Sequence, residues 1–309
     1  ETKDPRVRRV MGAIADDIQR GGTLADAVQK QSKYLSPFFV QLMTSGEKGG
    51  HLDVMLSDLA QYYEDRLNIQ RSVMAAAAYP LLLLTAAWFL GTFALGMGNR
   101  AVAAFEDPSK GGVGGVTEYF GEWASMQARA MGFFAVLVVV FILLWRAGVM
   151  AWITGAVTTF VWPLSKVTRY FAMARFFRGF ALLLNSGMSV IRCIQGAAGV
   201  TNNPYIERDL LQTVPHVQQG ETLAESFRAS RFLTPMAREM LAVGEESGNL
   251  DHHLKKCADY HLKEANPSTR QAVTVFTVLL MVSIFGAIGM IIIRFYMNLY
   301  GGMFDALGV

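Results

Sequence analysis

Gly46-Glu47-Lys48-Gly49-Gly50-His51-Leu52-Asp53 has a second version near the other end of the chain, Gly244-Glu245-Glu246-Ser247-Gly248-Asn249-Leu250-Asp251. Both read Gly-Glu-x-x-Gly-x-Leu-Asp, and each separates two stretches of helical periodicity. Glycines that flank a carboxylate between two helices predict a corner. A Glu in such a corner can accept the free N–H groups at the next helix start, as an N-terminal cap does. Gly46, Glu47, Gly50, Leu52 and Asp53, with Gly244, Glu245, Gly248, Leu250 and Asp251, are therefore read first as turn-stabilising residues.

The likeness extends outward from the corner. Laying 21–62 over 220–260 with one gap gives 14 identities in 41 aligned positions. The helix-start signals recur as well. Thr23-x-x-Asp26 is answered by Thr222-x-x-Glu225, and Ser36-Pro37 by Thr234-Pro235. Each pair reads as an N-cap, the first followed by an acidic first turn and the second by Pro at the first helical position. Two copies of one helical unit are expected. The second copy carries an upstream segment, Phe176 to Ser189, that has no counterpart before Glu1, so an N-terminal truncation is expected.

Composition places these units beside a membrane. The 309 residues are 52% hydrophobic and 17% charged, with net charge +3, and the apolar residues are concentrated in runs. Val73–Met97 and Met131–Met150 are long enough to span a ~30 Å hydrocarbon core, and so is the apolar run Ala272–Tyr296. The expected plan is a first helical module over 1–72, spans at 73–97 and 131–150 joined by a loop at 98–130, a second module at 151–266, a third span at 267–299 and a tail at 300–309. Leu52, Leu56, Leu59 and Tyr63 predict one stripe of an amphipathic helix that runs directly into the first span. Val116–Arg129 is expected as a short interfacial helix after a hinge at 111–115. Tyr79-Pro80 predicts a kink in the first span, and Asn266-Pro267 a cap before the third. Ser283, Gly286 and Gly289 suit close helix packing, and Arg294 is expected to snorkel toward headgroups.

Basic residues set the expected orientation. The 98–130 loop has three of them (Arg100, Lys110, Arg129) against four acids, whereas the flanks hold Arg66, Arg71, Arg146, Lys166, Arg169, Arg175 and Arg178. The positive-inside rule then puts both modules in the cytoplasm. Cys193 and Cys257 show no CxxC spacing and suit a reducing compartment.

Chemistry-bearing patterns are missing from the sequence. It has no Gly-x-x-x-x-Gly-Lys-Ser/Thr, no His-Glu-x-x-His and no Gly-x-Ser-x-Gly. No acidic residue lies inside the three apolar runs, which argues against an intramembrane aspartyl protease and an ion-coupled transporter. Asp251-His252-His253 and His51-x-Asp53 fit no standard metal spacing, since adjacent helical residues point apart. No catalytic residue, metal or cofactor is expected, and +3 is too small a charge to imply direct nucleic-acid binding. The Phe/Leu run in 176–184 is read as bundle core.

With the doubled Gly-Glu-x-x-Gly-x-Leu unit, Asn185-Ser-Gly-Met-Ser189, Tyr79-Pro80 and three spans in place, the chain resembles the inner-membrane platform proteins of type II secretion and type IV pilus machines, the GspF/PilC family. That resemblance implies an all-α polytopic protein of the bacterial inner membrane with cytoplasmic helical bundles. It also implies a homo-oligomer in the lipid bilayer that meets a hexameric assembly ATPase, pilin or pseudopilin subunits and other inner-membrane assembly proteins. In that setting the two corners become candidate docking faces. The chain departs from the family's pattern at the missing opening helix and at Ile293-Arg294-Phe295-Tyr296, which ends the third span. The alternative from another class is a small polytopic transporter or channel.

Overall fold

Arg178 lies near the middle of a helix, Leu164–Asn185, that is buried on every side from Phe171 to Leu183. Phe176, Phe177 and Phe180 are completely covered, and Phe227 packs against Phe176 with ring centroids 5.8 Å apart. A helix that is apolar all round has to be enclosed by its neighbours. The rest of this part of the fold is the enclosure.

The computed structural model describes residues 4–50, 52–106, 113–146 and 149–307. Among the described residues the secondary structure is all α-helical, with one short 3-10 turn and no strand. In chain order the helices are α1 (Pro5–Gln19), α2 (Leu24–Lys30), α3 (Pro37–Gly49), α4 (Leu52–Glu106), α5 (Val113–Arg146), α6 (Val149–Phe160), α7 (Leu164–Asn185), α8 (Val190–Gly199), α9 (Pro204–Leu211), α10 (Val214–Gln218), α11 (Leu223–Ser226), α12 (Pro235–Glu246) and α13 (Leu250–Leu307). Two compact units result, Glu1–Ser72 with Ala151–Thr269, and Val73–Met150 with Arg270–Val309.

In the first unit, a single apolar core joins residues from both ends of the sequence, from Ile14, Val28, Phe38, Leu42 and Met43 to Ile194, Leu241, Leu254 and Cys257. The expected stripe on α4 is displaced by about one residue. Met55, Leu59 and Tyr62 are the buried positions, whereas Leu56 is exposed. The expected 52/56/59/63 line gives way to 55/59/62, and Met55 is seated against Gly46. On α13 the buried line is Leu254, Cys257, Ala258, His261, Ala265 and Ala272, at i, i+3, i+4, i+7, i+11 and i+18.

Arg178 meets Asp65 of α4 at 2.8 Å and Asp259 of α13 at 3.2 Å through the same guanidinium nitrogen. Arg175, one turn earlier on α7, donates to the Thr201 carbonyl. Both thiols are completely covered, and burial pushes Cys193 and Cys257 up to about 12.

The second unit holds the membrane segments. Among the described residues, three helices are long and apolar enough to cross a bilayer, with qualifying stretches in Met55–Gly98, Glu118–Leu144 and Leu250–Met290. α4 continues unbroken through Pro80, and α13 through Pro267, so the expected cap at Asn266-Pro267 is absent. An internal proline removes one i→i−4 bond at a cost of about 3 kcal/mol. The many remaining bonds of a 58-residue helix outweigh that loss. Val116–Arg129 is no separate helix but the first part of α5. Most of the expected 98–130 loop is therefore helical, and the hinge residues Gly111 and Gly112 lie outside the described residues.

The polar groups of α5 explain why it starts so early. Gln127 accepts from Trp88 Nε1 at 2.8 Å and donates to Thr92 Oγ1 at 2.8 Å. Trp123 Nε1 also donates to Thr92 Oγ1, at 3.1 Å, and the Thr92 hydroxyl donates to the Trp88 carbonyl at 2.8 Å. In an apolar solvent each of these groups needs a protein partner, and here they satisfy one another across an antiparallel helix pair. Tyr119 fills the space beside Gly96, where any side chain would collide with its hydroxyl. Around Gly286 and Gly289 there is open space within this chain, and Ser283 is exposed. The side chain of Arg294 lies outside the described residues.

His261 is wholly enclosed. Its Nδ1 contacts the Cys257 carbonyl at 2.7 Å, which can only accept, so Nδ1 carries the proton. Nε2 is then free to accept from the Thr234 hydroxyl at 3.2 Å. Burial lowers the His261 pKa to about 4 from the ordinary 6.5; the Cys257 bond raises it and nearby Arg169 lowers it further. The unfolded chain therefore takes up a proton that the folded one refuses. Stability from this site is complete above about pH 6.5 and declines toward pH 4, by up to roughly 3 kcal/mol. Thermal melts should show that acid-side decline in the native protein and a flatter profile in His261→Gln. Equal slopes in the two proteins would remove His261 as the cause.

Candidate functional site

Both corners are built by the same physical device. α3 ends at Gly49 and its C-cap Gly50 has φ 70°, a left-handed turn that glycine enters without strain. α4 starts two residues later with Asp53 in its first turn, where a carboxylate complements the helix dipole. At the second corner α12 ends at Glu246, Gly248 has φ 66°, and α13 starts at Leu250 with Asp251 in its first turn.

The Glu carboxylates reach back to an earlier helix, not forward to the next one. Glu47 accepts from the N–H groups of Leu24 (2.8 Å) and Ala25 (2.7 Å) at the start of α2. Thr23 Oγ1 takes the N–H of Asp26 at 3.1 Å, and the Thr23 carbonyl that of Ala27 at 3.1 Å. All four leading donors of α2 are thereby satisfied. Glu245 does the same for α11. It accepts from Leu223 at 2.8 and 3.0 Å and from Ala224 at 3.5 Å, while Thr222 takes the N–H groups of Glu225 and Ser226. α2 has seven residues and α11 four, too few to persist alone in water. Each is held by a carboxylate 22 residues further along its own chain segment, counted to the second residue of α2 and the first of α11. The expected capping box therefore draws its second member from Glu47 or Glu245.

The helix after each corner contributes a second bond that sequence reading missed. Ser36, the N-cap of α3, lies 3.3 Å from the Tyr63 hydroxyl of α4. Thr234, the N-cap of α12, takes its partner from His261 of α13. Tyr63 and His261 stand one column beyond the aligned stretch. A polar ring in the same column of both copies was the available signal.

Close approach explains the first glycine of each motif. A Cβ on Gly46 would stand 3.1 Å from Met55 Cγ, a flexible side chain. On Gly244 it would meet His253 Cβ at 3.0 Å and the Leu250 Cα at 3.2 Å, where backbone would have to move. Leu250 packs on the core, and Leu52 is partly covered. Asp53, Glu245, Glu246 and Asn249 are exposed. His51 lies outside the described residues, and among the described residues no group of three or more His, Cys, Asp and Glu side chains is placed to hold a metal. Among the described residues, nothing at either corner pairs a nucleophile with a base.

Among the described residues, helices alone, three of them long and apolar, define an all-α, multi-pass membrane protein. The chain matches the family described as type II secretion system (T2SS), protein F, over residues 1–98 and 176–297, and belongs to it. It is 25% identical over 305 residues to the type IV pilus assembly protein PilC of Myxococcus xanthus, covering 96% of this chain and 72% of that one. Type II secretion system protein F of Aeromonas hydrophila is 25% identical over 300 residues, covering 91% of this chain and 74% of the relative. Type IV pilus assembly protein PilC of Thermus thermophilus is 24% identical over 323 residues, covering 97% and 75%.

Two substitution pairs test the device. Glu47→Ala removes two charge-assisted bonds at a half-buried site and should cost about 2 kcal/mol, with faster amide exchange at Leu24 and Ala25. Glu245→Ala, at an exposed site, should cost about 1 kcal/mol or less. Denaturant titration with exchange readout checks both, and unchanged protection at Leu24 would remove the cap. In thermal melts Gly244→Ala should destabilise more than Gly46→Ala, because backbone yields less readily than a methionine side chain.

Proposed function

We propose that this protein is the non-enzymatic inner-membrane platform of a type II secretion or type IV pilus machine, with both corners in the cytoplasm as docking faces for a hexameric assembly ATPase. The observation that carries this reading is the recurrence of one geometry. A Glu reaches back to a short helix at Gly46–Asp53 and again at Gly244–Asp251, each time at the foot of a helix that contains an apolar span. Each of the family's two matched stretches, 1–98 and 176–297, contains one such corner. That supports two copies of one helical module, although their cores merge in one cluster.

The mechanism follows from continuity. α4 and α13 each begin at a corner and run without a loop into an apolar segment. An ATPase that moved the corners would move helices whose far parts are in the bilayer, and pilin or pseudopilin subunits packed there would be displaced. The energy comes from the partner, since this chain supplies no phosphate-binding loop. A homo-oligomer, together with other inner-membrane assembly proteins, completes the reading. The transporter alternative draws little support from the spans, where the polar groups of Trp88, Thr92, Trp123 and Gln127 are spent on one another.

The test is co-purification of the cognate assembly ATPase with the full chain. Asp53→Lys combined with Glu246→Lys reverses two exposed charges and leaves Glu47 and Glu245 in place. ATPase retention should fall by about tenfold or more while the melting curve stays native. Undiminished retention would overturn docking at these corners.

A further inference from the structure

α6 is turned inside out. Thr159 is buried, and with Gly155 it faces Asn203, whose Nδ2 donates to Thr159 Oγ1 at 2.8 Å and to the Gly155 carbonyl at 3.4 Å. Gly155 lets the Pro204 ring approach to 3.0 Å of where a Cβ would be. Ile153 and Val157 on the other side are exposed, and Trp152 (49% exposed) and Phe160 (68%), although their rings meet Tyr205 at 5.4 and 5.6 Å, stay largely uncovered; the chain continues with exposed Val161, Trp162 (64%) and Leu164. In water this arrangement is backwards. A helix that hides Thr159 and leaves Trp152, Ile153, Val157 and Phe160 uncovered has apolar solvent on that side.

Length and position narrow what that solvent is. Twelve residues rise only ~18 Å, too short to cross a bilayer. α6 follows the second apolar helix after only two residues, so its start is tethered within ~11 Å of the end of α5. Tryptophan is the residue that favours the boundary between acyl chains and headgroups.

Charge supplies the second, independent observation. Next to α6 is a cleft of about 510 Å³ lined by Thr159, Lys166, Arg169, Arg231 and Thr234 among others, with no carboxylate among its lining residues. Arg169 is fixed in the wall by donating to the carbonyls of Phe232 (2.7 Å) and Leu233 (3.0 Å). Arg231 is held at its backbone by Asp209 at 3.2 Å. Neither Lys166 nor Arg231 has a side-chain ion pair among the described residues. Three cations beside an exposed apolar helix are complementary to an acidic membrane surface.

We propose that α6 and residues 161–164 lie in the membrane–water interface and that the adjoining cleft binds the phosphate headgroup of an anionic lipid. The apolar face supplies insertion, and Lys166, Arg169 and Arg231 select headgroup charge. The inference is independent of ATPase docking, because it uses neither corner.

The full chain is reconstituted in bilayers containing phosphatidylcholine or phosphatidylglycerol that carries a diazirine beside the headgroup, and the photo-crosslinks are mapped by mass spectrometry. Phosphatidylglycerol should label residues 152–166 and 231–235 at least about tenfold more than phosphatidylcholine does. Lys166→Glu with Arg231→Glu should abolish that preference, and Lys166→Arg with Arg231→Lys should keep it. A melting curve for each variant separates loss of the site from loss of the fold, and the native protein's own labelling pattern needs no variant at all. Equal labelling by both lipids, labelling confined to α4, α5 and the apolar part of α13, or complete competition by free inorganic phosphate would each overturn the proposal.

Discussion

A helix with no solvent face fixes everything packed around it. From Phe171 to Leu183, α7 offers water no stripe, so each neighbouring helix must bring an apolar face and no uncompensated charge. Arg175 and Arg178 are the exceptions that have to be answered: the Thr201 carbonyl accepts from Arg175, and α4 and α13 meet Arg178 with Asp65 and Asp259. Arg178 and Asp65 are mostly covered and would be costly to leave unpaired, whereas Asp259 is half exposed and adds a weaker, solvent-screened contact. Helices from both ends of the sequence are recruited to one core by this requirement.

The short helices obey the same accounting at smaller scale. α2 and α11 expose donors at their N-termini that cannot be left unpaired where packing excludes water. Glu47 and Glu245 complete them from a distance, and so each corner is tied to the start of the hairpin that precedes it. Membership in the protein F family rests on the sequence of both stretches. The geometry shows what the repeated Gly-Glu does physically.

Much of this was legible in the residues, and the gaps have physical causes. Periodicity showed the helical class, the three apolar runs and the buried Phe176–Phe180 segment, because each depends on local pattern. The direction in which Glu47 reaches was not legible, since a carboxylate in the last turn of a helix can serve any helix start packed beside it and only tertiary contact decides. Pro267 looked like a boundary because proline weakens a helix, yet one lost bond does not divide α13. The continuity of α5 was hidden because Val116–Arg129 read as a separate interfacial helix until Trp88 and Thr92 are placed opposite Trp123 and Gln127. α6 was not set apart because its apolar residues follow the second span after only two residues, and only the structure separates the two helices.

Arg178 has a consequence for how such a chain can drift in sequence. Its two contacts use one planar guanidinium nitrogen, shared between carboxylates on helices that are far apart in the sequence. Lysine could also offer one nitrogen to both acids, but as a point charge on a flexible stem it would hold their relative placement less firmly than a planar guanidinium. Loss of Asp65 or Asp259 leaves the arginine half-answered, and loss of the arginine leaves two acids facing each other. Three positions at 65, 178 and 259 thus form one unit of inheritance, free to change together and penalised when they change alone.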